Sequence, residues 1–141
     1  MTSLTVSSEL PPASPDDLAK TLALRDRIAE LPPVEIPTEH FLHGGLYVRT
    51  CLVPANAVIA GAIIKVPTVV TVSGKCCLTV GNVVRMIDGY AVLRGLPGRS
   101  QVFRAYEDTY ITMSFVTKAK TVEEAEEEFT DEFESLLSRR K

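Results

Sequence analysis

Residues Gly61–Gly74 read GAIIKVPTVVTVSG. β-Branched residues dominate the stretch, Pro67 interrupts it, and Ser73-Gly74 closes it. This is the texture of paired β-strands arriving at a turn. The pattern continues on both sides. Period-two segments are predicted at 46–53, 57–63, 68–73, 76–80, 82–87, 90–94, 100–104 and 109–116. Turn chemistry separates them: Pro54-Ala55-Asn56, Ser73-Gly74-Lys75, Gly81-Asn82, Asp88-Gly89, Leu96-Pro97-Gly98 and Glu107-Asp108. Gly81-Asn82 lies between two β-branched runs and predicts a tight hairpin. Eight short strands at this spacing predict a mainly β sandwich, barrel or jelly roll.

Outside this block the pattern changes. Residues 1–13 are rich in Ser, Thr and Pro and predict an extended arm. Ser14-Pro15-Asp16-Asp17 opens a helix, with Ser14 as N-cap, Pro15 in the first turn and acids at the positive end of the dipole. Leu18, Leu22, Leu24, Ile28 and Leu31 carry its apolar face, and Pro32-Pro33 ends it. The helix and its linker fill residues 14–36. The stretch PPVEIPTEHF holds three prolines and predicts an extended linker. At the other end, Thr121-Val122-Glu123-Glu124 predicts a capping box opening an acidic amphipathic helix within 119–141. Val122, Ala125, Phe129, Phe133 and Leu136 or Leu137 form its apolar stripe, and its acids predict a solvated face.

The totals bound what the chain can be. At 141 residues, 45% hydrophobic and 23% charged, it is one globular domain able to bury a core. Cys51, Cys76 and Cys77 make an odd set with no disulfide framework, which predicts reduced, small apolar side chains. No leader-like N-terminus and no apolar run of membrane-spanning length is present, so a soluble, intracellular protein is expected. Residues 121–141 hold eight acids against three bases, a net charge of −5. That leaves +2 for the rest of a chain whose total is −3. There is no basic stripe of the kind nucleic-acid binding uses.

The stretch HFLHGGLYVRTCLVPANAVIAGAIIK carries a resemblance. With Glu35, Ile36 and Pro37 before it, and Tyr47, Arg49, Pro54, Ala55 and Gly61 within it, the chain resembles the small cupin-like proteins of tailed bacteriophages and prophages. Pro97, Gly98, Ala105, Glu107, Asp108 and Thr109 extend the likeness, which covers about residues 20–135. It implies a cupin-like jelly roll (a double-stranded β-helix) over 37–118, between an N-terminal helix and the acidic C-terminal helix.

The departures matter as much. The positions where the family carries metal-ligating histidine and glutamate fall here on Ile64, Pro67, Thr68 and Phe115. The Lys-Arg that follows Pro-Gly in the family becomes Ser100-Gln101. Ligation needs lone pairs from imidazole, carboxylate or thiolate. Ile64, Pro67 and Phe115 have none and Thr68 alone holds no divalent ion, so a barrel without metal or other cofactor is expected.

Other chemistry is sparse. Tyr47 and Arg49 lie two apart on a strand and share a face. An inward Arg49 requires a carboxylate, for which Glu107 or Asp108 are the expected partners. Tyr47, Arg49, Arg104 and Tyr106 are the candidate cavity-lining residues. Arg94, Arg99 and Arg104 surround Pro97-Gly98 as an anion site or a subunit contact. Arg94, Arg99, Phe129 and Phe133 are the interface candidates. Lys65 reads as an edge-strand guard. His40 and His43 read as loop histidines, and no nucleophile–base pair is legible.

From the resemblance, a non-enzymatic structural or interaction protein is expected. The expected form is a phage capsid decoration or cement protein, located in the virion, acting as a homodimer with capsid protein as partner and with neither nucleic acid nor membrane. The alternative is a metal-independent cupin enzyme or a protein that binds a sugar, nucleotide or other small molecule.

Overall fold

In a computed structural model of the chain, residues 5–32, 34–80 and 83–136 are described. Two long strands form the spine. Thr68–Val80 (β5) and Val83–Gly95 (β6) pair antiparallel along their whole length, from Thr68 opposite Gly95 to Val80 opposite Val83. The sequence predicts two strands for each, separated at Gly74 and at Asp88-Gly89. Neither glycine ends its strand. They sit directly opposite each other, with φ of +146° at Gly74 and +106° at Gly89, and bend the ladder while hydrogen bonding continues across it. The expected hairpin residues Gly81 and Asn82 lie outside the described residues.

The far edge of β5 forks at this bend. Its first half pairs with Thr109–Val116 (β8), and its second half with Gln101–Ala105 (β7). Beyond β8 lie Leu46–Val53 (β3) and Thr38–His43 (β2), and beyond β7 lies Val58–Ala60 (β4). The two branches curl toward each other and close the sheet into a jelly roll.

Gly74 is the tightest point of the fork. A Cβ there would lie 2.6 to 2.8 Å from Thr109 Oγ1, Thr109 Cα and the Asp108 carbonyl oxygen. Two of these atoms are backbone and cannot turn aside. Gly74→Ala is therefore expected to destabilise by about 3 kcal/mol, from positive-φ strain plus overpacking. Denaturant unfolding measures this, and a loss under about 1 kcal/mol would contradict the fork geometry.

Two segments depart from the sequence reading. Thr5–Leu10 is not a free arm but a strand (β1) that pairs parallel with β6. The extended linker ends earlier than predicted, because β2 begins directly after Pro37; only the residues up to Pro37 lack a ladder. His40 and His43 are thus strand residues on opposite faces, and His40 points inward.

Pro15–Ala29 (α1) follows the predicted cap: Ser14 Oγ accepts from the Asp17 N–H, and Asp17 closes the box. Leu18, Thr21, Leu24 and Ile28 face the barrel, whereas Leu22 and Leu31 are exposed. Val122–Phe129 (α2) is shorter than predicted. Thr121 caps it, but Glu124 reaches the Lys120 N–H, so a reciprocal box does not form. Thr130 turns to extended backbone and stops the helix, and Phe133–Ser135 makes one 3₁₀ turn. The basic end at 139–141 lies outside the described residues. Among the described residues, no helix is long and apolar enough to cross a membrane.

Inward residues form two clusters. Val53, Val70, Val72, Cys76, Leu78, Leu93, Phe103 and Ile111 belong to the larger. Burial, with Cys77 beside it, pushes the Cys76 thiol up to about 11, so it behaves as an apolar side chain. Tyr47, Ile64, Met113, Phe115, Ala125, Phe129 and Leu136 form the second, where α2 covers one end of the barrel.

Candidate functional site

The ladder between β3 and β8 builds the α2 end. Tyr47 stands opposite Phe115 and Arg49 opposite Met113, all turned inward. On the other side of β3, His40 stands opposite Arg49 and Leu42 opposite Tyr47. The period of two thus brings one imidazole, one phenol and one guanidinium to a single face. His40 Nδ1 lies 2.9 Å from the Tyr47 hydroxyl, and Arg49 Nη1 donates to that hydroxyl at 3.2 Å. Arg49 is 8% exposed.

The carboxylate that Arg49 requires is Glu126, not Glu107 or Asp108. Its Oε2 lies 3.2 Å from Arg49 Nη1, and Glu126 is only 1% exposed. Asp108 instead accepts from the Ala55 N–H. The expectation that the acids of α2 form a solvated face thus fails at this residue. The sequence carries a signal for it: four residues after Val122 and three before Phe129, Glu126 borders the apolar arc of the helix more closely than its other acids do.

Phe129 completes the group. Its ring stacks on Tyr47 at 6.0 Å between centroids and 22° between planes, and meets Phe115 edge-on at 6.1 Å. The Arg49 guanidinium lies over the same ring at 5.8 Å. Burial pushes the Tyr47 phenol up from its ordinary value, and Arg49 beside it offsets only part of that rise. The phenol therefore stays protonated. Burial disfavours charge on Arg49, but Tyr47, Cys51 and Glu126 more than compensate and the guanidinium remains a cation.

The other candidate positions separate. Arg104 and Tyr106 are exposed and stack on each other outside the barrel, 5.5 Å from guanidinium to ring centroid, so they line no cavity. Arg94, Arg99 and Arg104 do not gather into an anion site. Arg94 pairs with Glu9 on the neighbouring strand at 3.7 Å. Arg99 is fully buried, with Nε donating to Gln101 Oε1, Nη1 to the Leu96 carbonyl and Nη2 to Thr68 Oγ1. No carboxylate pairs with Arg99 among the described residues, and burial pushes it down to about 10. Arg99 and Phe129 are interior residues and cannot serve as interface contacts; Phe133 is half-buried against the α2 cluster. Lys65 guards no edge but pairs with Asp131 at 2.6 Å, just after α2.

Ile64, Thr68 and Phe115 are buried, while Pro67 is exposed and points away from the interior. Ile64 belongs to the α2 cluster, Phe115 packs against Phe129, and Thr68 accepts from Arg99. Among the described residues, no three His, Cys, Asp or Glu side chains gather where a metal ion would sit. This donor set does not fit a divalent cation.

No protein-family profile and no curated protein matches the chain. Solved structures do. A cupin superfamily protein from Desulfitobacterium hafniense superposes with a TM-score of 0.50 at 6% identity, over 63% of this chain and 84% of that one. KdgF from Halomonas sp. gives 0.51 at 15% identity, over 63% and 86%. Salicylate 1,2-dioxygenase from Pseudoaminobacter salicylatoxidans, solved as adducts with gentisate, gives 0.53 at 13% identity, over 81% of this chain and 33% of that one.

The dioxygenase corrects the expectation of a non-enzyme. That expectation came from the resemblance to phage proteins, whereas a protein that superposes on this chain over 33% of its own length is an enzyme by name. With its forked sheet closed into a jelly roll, its two flanking helices and these neighbours, the chain has the cupin fold.

Proposed function

We propose that the chain handles a small organic anion at the α2 end of its barrel, through Arg49, Tyr47 and His40 and without a metal ion. One observation carries this: a guanidinium held inside an apolar barrel, hydrogen-bonded to a protonated phenol that is itself in contact with an imidazole. Arg presents a planar fork that matches carboxylate and phosphate oxygens. Small-molecule sites in general are apolar enclosures with a few convergent polar groups. The His40–Tyr47 contact adds a group that can carry a proton, so turnover at this site falls within the proposal. Placement in a virion or on a capsid draws no support from the fold or from these neighbours.

The test is a thermal-unfolding panel of monocarboxylates, sugar acids and nucleotides. A ligand that binds only the native state raises the midpoint in proportion to its saturation. At least one class should raise it in the native protein and lose that effect in Arg49→Lys. A panel with no Arg49-dependent shift would refute the proposal.

A second, compatible reading is a homodimer through the outer face of β6, β5 and β7. Val84 and Met86 on β6 are 62% and 63% exposed, and they lie in register with the partly exposed Thr79 and Cys77 on β5. Met86→Glu should convert a dimer to a monomer in sedimentation equilibrium. A native chain that sediments as a monomer at high concentration would exclude this face as an interface.

A further inference from the structure

Resting on the organic-anion reading above, we infer that the site takes an aromatic carboxylate and that α2 occupies it as an internal stand-in. The pairing of groups on α2 carries the inference. Glu126 and Phe129 are three residues apart on one helix face. The carboxylate of the first lies on Arg49, and the ring of the second stacks on Tyr47 beneath the same guanidinium. One helix thus delivers to the barrel an acid and a ring, both nearly or wholly buried. A benzoate-like molecule carries the same two groups in one small body. A sugar offers no charge to Arg49, and a phosphate offers no ring to Tyr47 and Phe115.

The exchange is balanced in charge. Moving Glu126 out leaves Arg49 buried without this partner, which is costly unless another carboxylate replaces it. An incoming carboxylate restores the ion pair, and the released glutamate returns to water. An incoming ring likewise takes the contacts that Phe129 gives up with Tyr47 and Phe115.

α2 is also suited to leaving. It has eight residues, too few for a helix that is stable without tertiary packing. Glu123 and Glu127, and Glu124 and Glu128, are like charges at i,i+4, which weakens it further. Its C-terminal end is held by polar links: Thr117 Oγ1 donates to Glu128 at 2.6 Å, and the Lys65 N–H donates to the Phe129 carbonyl at 2.8 Å. Beyond it, Glu132 accepts from the Ile63 N–H and pairs with Arg25 of α1 at 2.7 Å. These last contacts lie outside α2 and keep the chain attached while the helix swings out.

Benzoate is the probe. In the native protein it should raise the thermal midpoint saturably, while amide exchange over 122–129 becomes at least tenfold faster and that of β3 and β8 does not. A surface binder would raise the midpoint without deprotecting α2. Glu126→Gln removes the internal acid yet keeps the side-chain shape, so benzoate should bind it at least tenfold tighter. Cyclohexanemethanol, which lacks both charge and aromatic ring, should bind neither protein.

Benzoate binding with α2 protection unchanged, or no tightening in Glu126→Gln, would overturn the inference. If a sugar acid or nucleotide gives an Arg49-dependent shift and benzoate gives none, the aromatic-carboxylate inference falls and the organic-anion proposal stands. If nothing binds either the native chain or Glu126→Gln, both fall.

Discussion

Arg49→Met is expected to destabilise the fold by about 3–5 kcal/mol, the usual consequence of removing one partner of a buried ion pair. Glu126 is 1% exposed. With Arg49 gone, its carboxylate must stay charged in an apolar enclosure, take up a proton, or leave and carry α2 with it. The Tyr47 hydroxyl loses a donor at the same time. Urea unfolding reads the loss directly. The double variant Arg49→Met/Glu126→Leu should recover most of it, because apolar replacement of a whole buried pair is often neutral or better. A single variant within about 1 kcal/mol of the native protein would mean that Glu126 is not enclosed as described.

Arg99→Ala should cost about 4 kcal/mol, by a different route. Among the described residues, the acceptors of Arg99 are all neutral: Gln101 Oε1, the Leu96 carbonyl and Thr68 Oγ1. Truncation leaves these buried acceptors short of a donor and opens a cavity among β5, β6 and β7. The packing around the guanidinium is close. A Cβ on Gly95 would lie 2.5 Å from both Arg99 Nη1 and Thr68 Oγ1. Gly95→Ala should therefore destabilise in the same direction by crowding rather than by loss. Comparing the two by denaturant midpoint tests the packing around Arg99. An Arg99→Ala loss below about 1.5 kcal/mol would show that the acceptors find other donors.

Alternation and turn residues made the strand content legible. β8 begins and ends where the period-two reading puts it, and the Ser14 cap starts α1 as expected. Strand continuity was not legible. A Gly between β-branched runs reads equally as a turn or a bend, and only the facing glycine at position 89 decides for the bend. β2 was hidden by the prolines before it, although Pro37 stops one residue short of the ladder.

At the site, the shared face of Tyr47 and Arg49 followed from spacing alone. Ile64, Thr68 and Phe115 are buried, and Pro67 is exposed. Glu126 was missed because a run of acids reads as a wet surface, and helix phase was outweighed by composition. Arg99 was singled out as an anion-site or interface residue, but its burial was missed for the converse reason. A charge beside a Pro-Gly turn reads as exposed, and its remote acceptor, Thr68, lies 31 residues away and leaves no trace in local sequence.

The fork at Gly74 ties the two halves of the molecule to one shared rail. β5 supplies hydrogen-bond partners to β6 throughout, to β8 along its first half and to β7 along its second. The β8–β3–β2 ladders and the β7–β4 ladder meet each other only through this segment. Cooperative melting is thus wired into connectivity rather than left to side-chain contact between the lobes. The β5–β6 ribbon, whose pairings are local in sequence, is also the cheapest piece to assemble and the natural template on which every later strand must dock.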